Sequence, residues 1–106
     1  MIRKHWKQKP DQIEVNIDDV KIILGTEFDK LHLFLETTFC GECAESNTTI
    51  ENYRIYVDRL DDLIFVGQCY RCKGQAVRVV EVGETEETAE VVRHIKMIKK
   101  KYKTKE

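Results

Sequence analysis

Apolar and polar positions alternate at the start of the ordered pattern. Ile13, Val15 and Ile17 are separated by Glu14 and Asn16, the period-two signature of a strand. Asp18-Asp19 reads as a turn. The β-branched run at 20–24 reads as a second strand, closed by Gly25. Residues 26–38 carry two patterns at once. Leu31, Leu33 and Leu35 alternate with His32, Phe34 and Glu36, which suits a strand. Phe28, Leu31 and Leu35, with Thr26 and Asp29 arranged like a capping box, suit a helix. The alternation is the cleaner pattern, so a strand is expected here.

Further along, Tyr53, Ile55 and Val57 alternate with Arg54, Tyr56 and Asp58. Asp58-Arg59-Leu60-Asp61-Asp62 offers a turn, residues 63–66 return toward Cys69, and the valine-rich segment 75–82 predicts another strand. The last segment is a helix by every local signal. Thr85 is a good N-cap, and Glu86 and Glu87 place carboxylates where the helix dipole favours them. Val91, Ile95, Ile98 and Tyr102 recur at spacings of four, three and four, with Val92 beside them, making one apolar stripe. Lys99, Lys100, Lys101 and Lys103 gather at the carbonyl end. These elements predict an α+β fold: an antiparallel β-sheet with a C-terminal helix packed on it.

All four cysteines fall in two Cys-x-x-Cys pairs, Cys40-Gly41-Glu42-Cys43 and Cys69-Tyr70-Arg71-Cys72, with 25 residues between them. Two residues between paired cysteines let a tight turn aim both thiolates at one ion. Two such turns complete the tetrahedral sulfur set that zinc takes at about 2.3 Å. One structural Zn²⁺ held by Cys40, Cys43, Cys69 and Cys72 is therefore expected, with iron on the same thiolates and a redox dithiol as the alternatives. A redox cysteine usually sits at a helix N-terminus, and no βαβ pattern surrounds Cys40. Four thiolates and one divalent ion leave a net charge of −2, which Arg71 and Lys73 are placed in sequence to moderate. Gly74 stands where the second turn would need positive φ. His5, His32 and His94 have no useful spacing to this set.

The stretch 39–79 resembles a zinc ribbon: Phe39-Cys40-Gly41-Glu42-Cys43, a hairpin, Gln68-Cys69-Tyr70-Arg71-Cys72-Lys73-Gly74, then a third strand. Its spacing is similar to the ribbon of transcript-cleavage elongation factors. In that family an acidic pair at the hairpin tip helps hold a catalytic metal in the polymerase. The matching tip here is Asp61-Asp62, but Ala76-Val77-Arg78-Val79-Val80 replaces the family's aromatic-rich strand. The ribbon resemblance covers less than half of the chain and implies a metal more than a task.

Length and composition bound the rest. The 106 residues suit one domain: a basic tail at 1–10, a body at 11–102 with the ribbon at about 36–82 and the helix at about 86–101, and a tail at 103–106. The start carries positive charge without an apolar stretch, so no export is read, and paired cysteines then point to a metal in the reducing cytoplasm. No apolar run reaches the roughly 18 residues that span a bilayer. The net charge of −1 conceals a segregation, with 18 acidic and 7 basic residues in 11–90 and +10 on the two ends together. Three functions follow: a zinc module that binds a protein partner, a nucleic-acid-binding or transcription-associated ribbon, and a thiol redox protein. The ribbon segment carries eight acids and five bases, which argues against a duplex-facing surface, although Tyr53, Tyr56 and Tyr70 suit stacking on single-stranded bases. The sequence has no phosphate loop or nucleophile motif, and four cysteines close the coordination sphere, so no catalysis is expected.

Overall fold

A computed structural model describes residues 6–38, 40 and 48–103, with the side chains of 102 and 103 excepted. Four strands form one antiparallel meander in chain order: β1 (Ile13–Val15), β2 (Ile50–Val57), β3 (Leu63–Cys69) and β4 (Gln75–Val80). Val15 pairs with Ile55, Ile55 with Phe65, and Phe65 with Arg78, which puts these four side chains on one face. That face carries Val57, Leu63 and Val80 one step further along, and helices cover it. Here the α+β expectation and the terminal helix agree with the structure.

The segment between β1 and the first cysteine pair does not form the expected strands. Residues Ile17–Leu24 are a helix, α1, and Gly25–Lys30 a 3-10 turn that runs into a short helix, α2 (Leu31–Glu36). The cause is local as well as tertiary. Asn16 accepts from the Asp19 backbone N–H at 2.9 Å while the Asp19 carboxylate accepts from the Asn16 N–H at 3.0 Å, a complete capping box. Val20 and Ile23 face the core three residues apart, and Ile22 points outward. The β-branched run that resembles a strand is thus read at helical period. In α2, Leu31 and Leu35 are buried four apart while Leu33 is exposed, so the helical spacing prevails over the alternation.

The C-terminal helix, α3 (Glu86–Lys103), begins after Thr85, whose hydroxyl accepts from the Thr88 N–H at 3.4 Å. Its buried line is Ala89, Val92 and Ile95, against α1 and β1. The expected stripe is therefore rotated. Val91 is only half-buried and Ile98 is exposed, while the Tyr102 side chain lies outside the described set.

The opposite face of the sheet is covered differently. Trp6 stacks on Tyr56 with ring centroids 4.7 Å apart, and its backbone N–H donates to the Gln75 side chain at 2.6 Å. Tyr56 and Ile64 are buried there, so Tyr56 is not the exposed stacking residue expected from alternation.

β2 is bulged between Glu51 and Arg54, with Asn52 at φ 51. The bulge presses onto Gly67, where a Cβ would lie 2.6 Å from the Glu51 carbonyl oxygen and 2.9 Å from the Tyr53 Cα. Among the described residues, no helix is long and apolar enough to cross a membrane.

Candidate metal centre

The hairpin β2–β3 delivers the second cysteine pair. Cys69 ends β3, fully buried, and the chain turns at once: the Lys73 N–H donates to the Cys69 carbonyl and the Cys69 N–H to the Gly74 carbonyl, at 2.9 and 2.8 Å. The left-handed residue of this turn is Lys73, at φ 63, and not Gly74 as the glycine suggested. The turn therefore closes one residue earlier than expected. The Gly74 N–H points at the Cys72 sulfur at 3.4 Å.

Cys40, from the first pair, follows a clamp. Thr38 and Thr48 exchange backbone hydrogen bonds of 3.1 and 3.0 Å, a clasp between these two points of the chain. Thr38 is itself fixed to the end of α2, its hydroxyl donating to the Phe34 and Leu35 carbonyls. Cys40, just inside the clasp, is fully buried. Cys43 lies outside the described residues, as do Phe39 and residues 41–47.

Three sulfurs converge. Those of Cys40, Cys69 and Cys72 all lie within 4.8 Å of one another, and among the described residues this is the group of ligand-type side chains that gathers in one place. Cys40 Sγ and Cys72 Sγ are 3.6 Å apart. A disulfide needs about 2.05 Å, whereas two sulfurs on one tetrahedral zinc are roughly 3.8 Å apart at a bond length of about 2.3 Å. The spacing thus fits a shared ion. Cys40 and Cys69 are buried, and Cys72 is exposed at the outer edge of the group.

The Thr48 hydroxyl lies 3.2 Å from Cys69 Sγ. No sequence pattern singles out Thr48. Its proximity to a cysteine 21 residues away is created by the clasp and the hairpin together. That hydrogen bond is the main reason the Cys69 thiol is lowered from 9.0 to about 6. The backbone N–H groups of Cys72 and Arg71 and the Cys40 side chain act in the same direction, and burial opposes them. A thiolate is thus favoured at the buried ligand, the form that binds a metal.

The charges expected to moderate the site are engaged elsewhere or exposed. Lys73 Nζ pairs with Glu51 at 3.0 Å and lies 5.4 Å over the Tyr70 ring, and Arg71 is exposed. Tyr70 is the one tyrosine of the three that is exposed, while Tyr53 packs edge-on against Phe65 beside the core.

The Asp61-Asp62 tip is also not a free acidic pair. Asp62 Oδ1 accepts from the Val82 and Gly83 N–H groups at 2.9 and 2.8 Å, and Asp58 Oδ1 accepts from Leu60 and Asp62 at 2.9 and 3.0 Å. Asp61, at φ 65, pairs with Lys96 at 2.6 Å and Arg93 at 3.5 Å on α3. The tip is an anchor for the terminal helix. His32 bonds to the Asp29 carbonyl through Nδ1, and His94 lies on α3 beside the groove with α1 and is not one of the group around the sulfurs; His5 lies outside the described residues.

No protein-family model, curated protein or solved structure matches this chain.

Proposed function

We propose that this is a zinc-ribbon protein in which one structural Zn²⁺ is held by Cys40, Cys43, Cys69 and Cys72, and that it acts by binding a protein partner without catalysis of its own. The convergence of three sulfurs from two distant chain segments carries the reading. Bound there, the ion would tie the clasp after α2 to the end of the β2–β3 hairpin. The cysteines, two of them buried, then serve folding in a reducing, cytoplasmic setting.

The nucleic-acid alternative loses support from the disposition of the cations. Arg54 faces Glu14 at 3.9 Å, Lys73 pairs with Glu51, Arg93 with Glu86 and Asp61, Lys96 with Asp61, and Lys99 with Asp19. Arg78 sits over the Phe34 ring and donates to the Thr37 carbonyl. A phosphate-binding face concentrates cations without matching acids.

Native mass spectrometry of the protein purified without added metal tests the metal. One zinc per chain is expected, lost in Cys69→Ser. Protein that is fully reduced, folded and free of metal would overturn the reading. Absence of binding to mixed oligonucleotides at low salt is the companion expectation.

A further inference from the structure

The three sulfurs gathered at the end of β3 are not equivalent. Cys40 and Cys69 are fully buried, whereas Cys72 is exposed. Cys69 is also tied down. Its sulfur accepts from the Thr48 hydroxyl, 3.2 Å away, and from the backbone N–H groups of Cys72 and Arg71. Cys72 stands on the turn that Lys73 closes at φ 63, and its sulfur approaches that of Cys40 to 3.6 Å across 32 residues of sequence. An exposed sulfur thus faces a buried one that belongs to the other Cys-x-x-Cys motif.

Thiolate character and exposure decide which cysteine a peroxide oxidises first. In the proposed zinc site every bound sulfur is a thiolate. Exposure is then what separates these three, and it selects Cys72. The second sulfur is selected by what each candidate gives up. Joining Cys72 to Cys69 would pull the Cys69 sulfur from its three donors, whereas Cys40 lies 3.6 Å away. A disulfide needs about 2.05 Å, so these two sulfurs must close by roughly 1.5 Å, which a χ1 rotation of the exposed Cys72 covers.

We propose that Cys72 and Cys40 are a peroxide-responsive pair, whose oxidation to a disulfide releases the zinc and leaves the clasp after α2 joined covalently to the hairpin. This rests on the metal reading above and adds its regulation. The Cys72 thiolate attacks one oxygen of hydrogen peroxide. The O–O bond breaks, a sulfenic acid forms, and hydroxide leaves and takes up a proton as water. The Cys40 thiolate then attacks the Cys72 sulfur. The S–S bond forms, the S–O bond breaks, and the second hydroxide leaves as water. Two thiolates, one peroxide and two protons thus give one disulfide and two waters, with both electrons supplied by sulfur. Cys43 and Cys69 are then what remains of the proposed ligand set, too few for a closed tetrahedral site. A thiol reductant reverses the change.

Stepwise addition of hydrogen peroxide to the full, zinc-loaded chain tests this. Released zinc is read with a metallochromic dye, and the linkage by mass spectrometry of a non-reduced digest. Cleavage after Arg71 separates Cys69 from Cys72, and cleavage after Glu42 separates Cys40 from Cys43, so each pairing gives its own peptides. Zinc is expected to leave in step with one disulfide between Cys40 and Cys72, and to rebind after dithiothreitol and zinc are added. Hydrogen-exchange protection at Thr38 and Thr48 should persist in the oxidised protein although chelation of the reduced protein removes it, because the cross-link restricts the unfolded chain. A first disulfide within either motif, or one that involves Cys43 or Cys69, would overturn the inference. So would four reduced thiols and retained zinc in excess peroxide. Starting protein that holds no zinc would overturn the metal reading and the release step, while the peptides would still decide which sulfurs pair.

Discussion

The two ends of the β2–β3 hairpin are closed by different chemistry. At one end Cys69 and Cys72 turn the chain toward Cys40, and the three sulfurs lie close enough to share an ion. At the other end Asp58, Asp61 and Asp62 turn the chain using the protein's own donors: backbone N–H groups of the turn, of Val82 and Gly83, and the side chains of Lys96 and Arg93. The carboxylates find their partners within the chain, whereas the three sulfurs gather around a place that an external cation would fit. On the proposed function, the cysteine end of the hairpin depends on its surroundings and the aspartate end does not.

The largest test is removal of the proposed zinc. A tetrathiolate zinc contributes on the order of 10–16 kcal/mol of apparent binding free energy at neutral pH. Chelation should therefore abolish hydrogen-exchange protection at Thr38, Thr48 and the Cys69 end of β3 first. The amides of Asp62, Val82 and Gly83 should stay protected longest. Simultaneous loss at both ends would break the contrast, and unchanged amide dispersion after verified metal removal would remove it altogether.

The second test attacks the other end. Asp62→Ala leaves the Val82 and Gly83 N–H groups without their acceptor and should cost about 2–4 kcal/mol in urea unfolding, since both bonds are to a charged group. Asp62→Asn keeps an oxygen in place and should lose less than half as much. Neither variant should change zinc stoichiometry. A third substitution probes the middle of the hairpin, where Gly67→Ala forces a Cβ against the Glu51 carbonyl and the Tyr53 backbone. About 1–3 kcal/mol of destabilisation is expected, read as a lower urea midpoint with the slope unchanged.

The smallest effect is on pH. The folded Cys69 thiol is lowered from 9.0 to about 6, so the thiolate's contribution to stability is fully present above the ordinary thiol value near 9. It declines as the pH falls toward 6 and is gone below it. Thr48→Val removes the principal cause of the shift and should raise the pH at which half the zinc is lost, by roughly half a unit. An unmoved midpoint would mean that Thr48 does not govern this ligand.

The hairpin, β4 and α3 are legible in the sequence because their alternation, turn residues and cap all agree. The α1 region is not, although Asn16 followed by Asp19 is a helix-start signal. The β-branched run after it competes, and only burial of Val20 and Ile23 on one side decides. Cysteine spacing anticipates that Cys40, Cys69 and Cys72 meet, since chemistry restricts which residues can share an ion. Thr48, by contrast, becomes a neighbour of Cys69 only once the clasp has formed. The aspartates of the tip look like solvated turn residues until α3 packs beside them. Local pattern does not encode that contact, which spans 35 residues for Lys96 and Asp61.

The stacking of Trp6 on Tyr56 has a practical consequence. Trp6 is the sole tryptophan of the chain, and it lies on the sheet face opposite the helices. Its emission therefore reports whether the N-terminal segment is seated on the sheet, while far-ultraviolet ellipticity is dominated by α1, α2 and α3 on the other side. Two optical signals thus watch two faces of one sheet. An emission change that precedes the loss of ellipticity during denaturation would time the release of that segment without any label being attached.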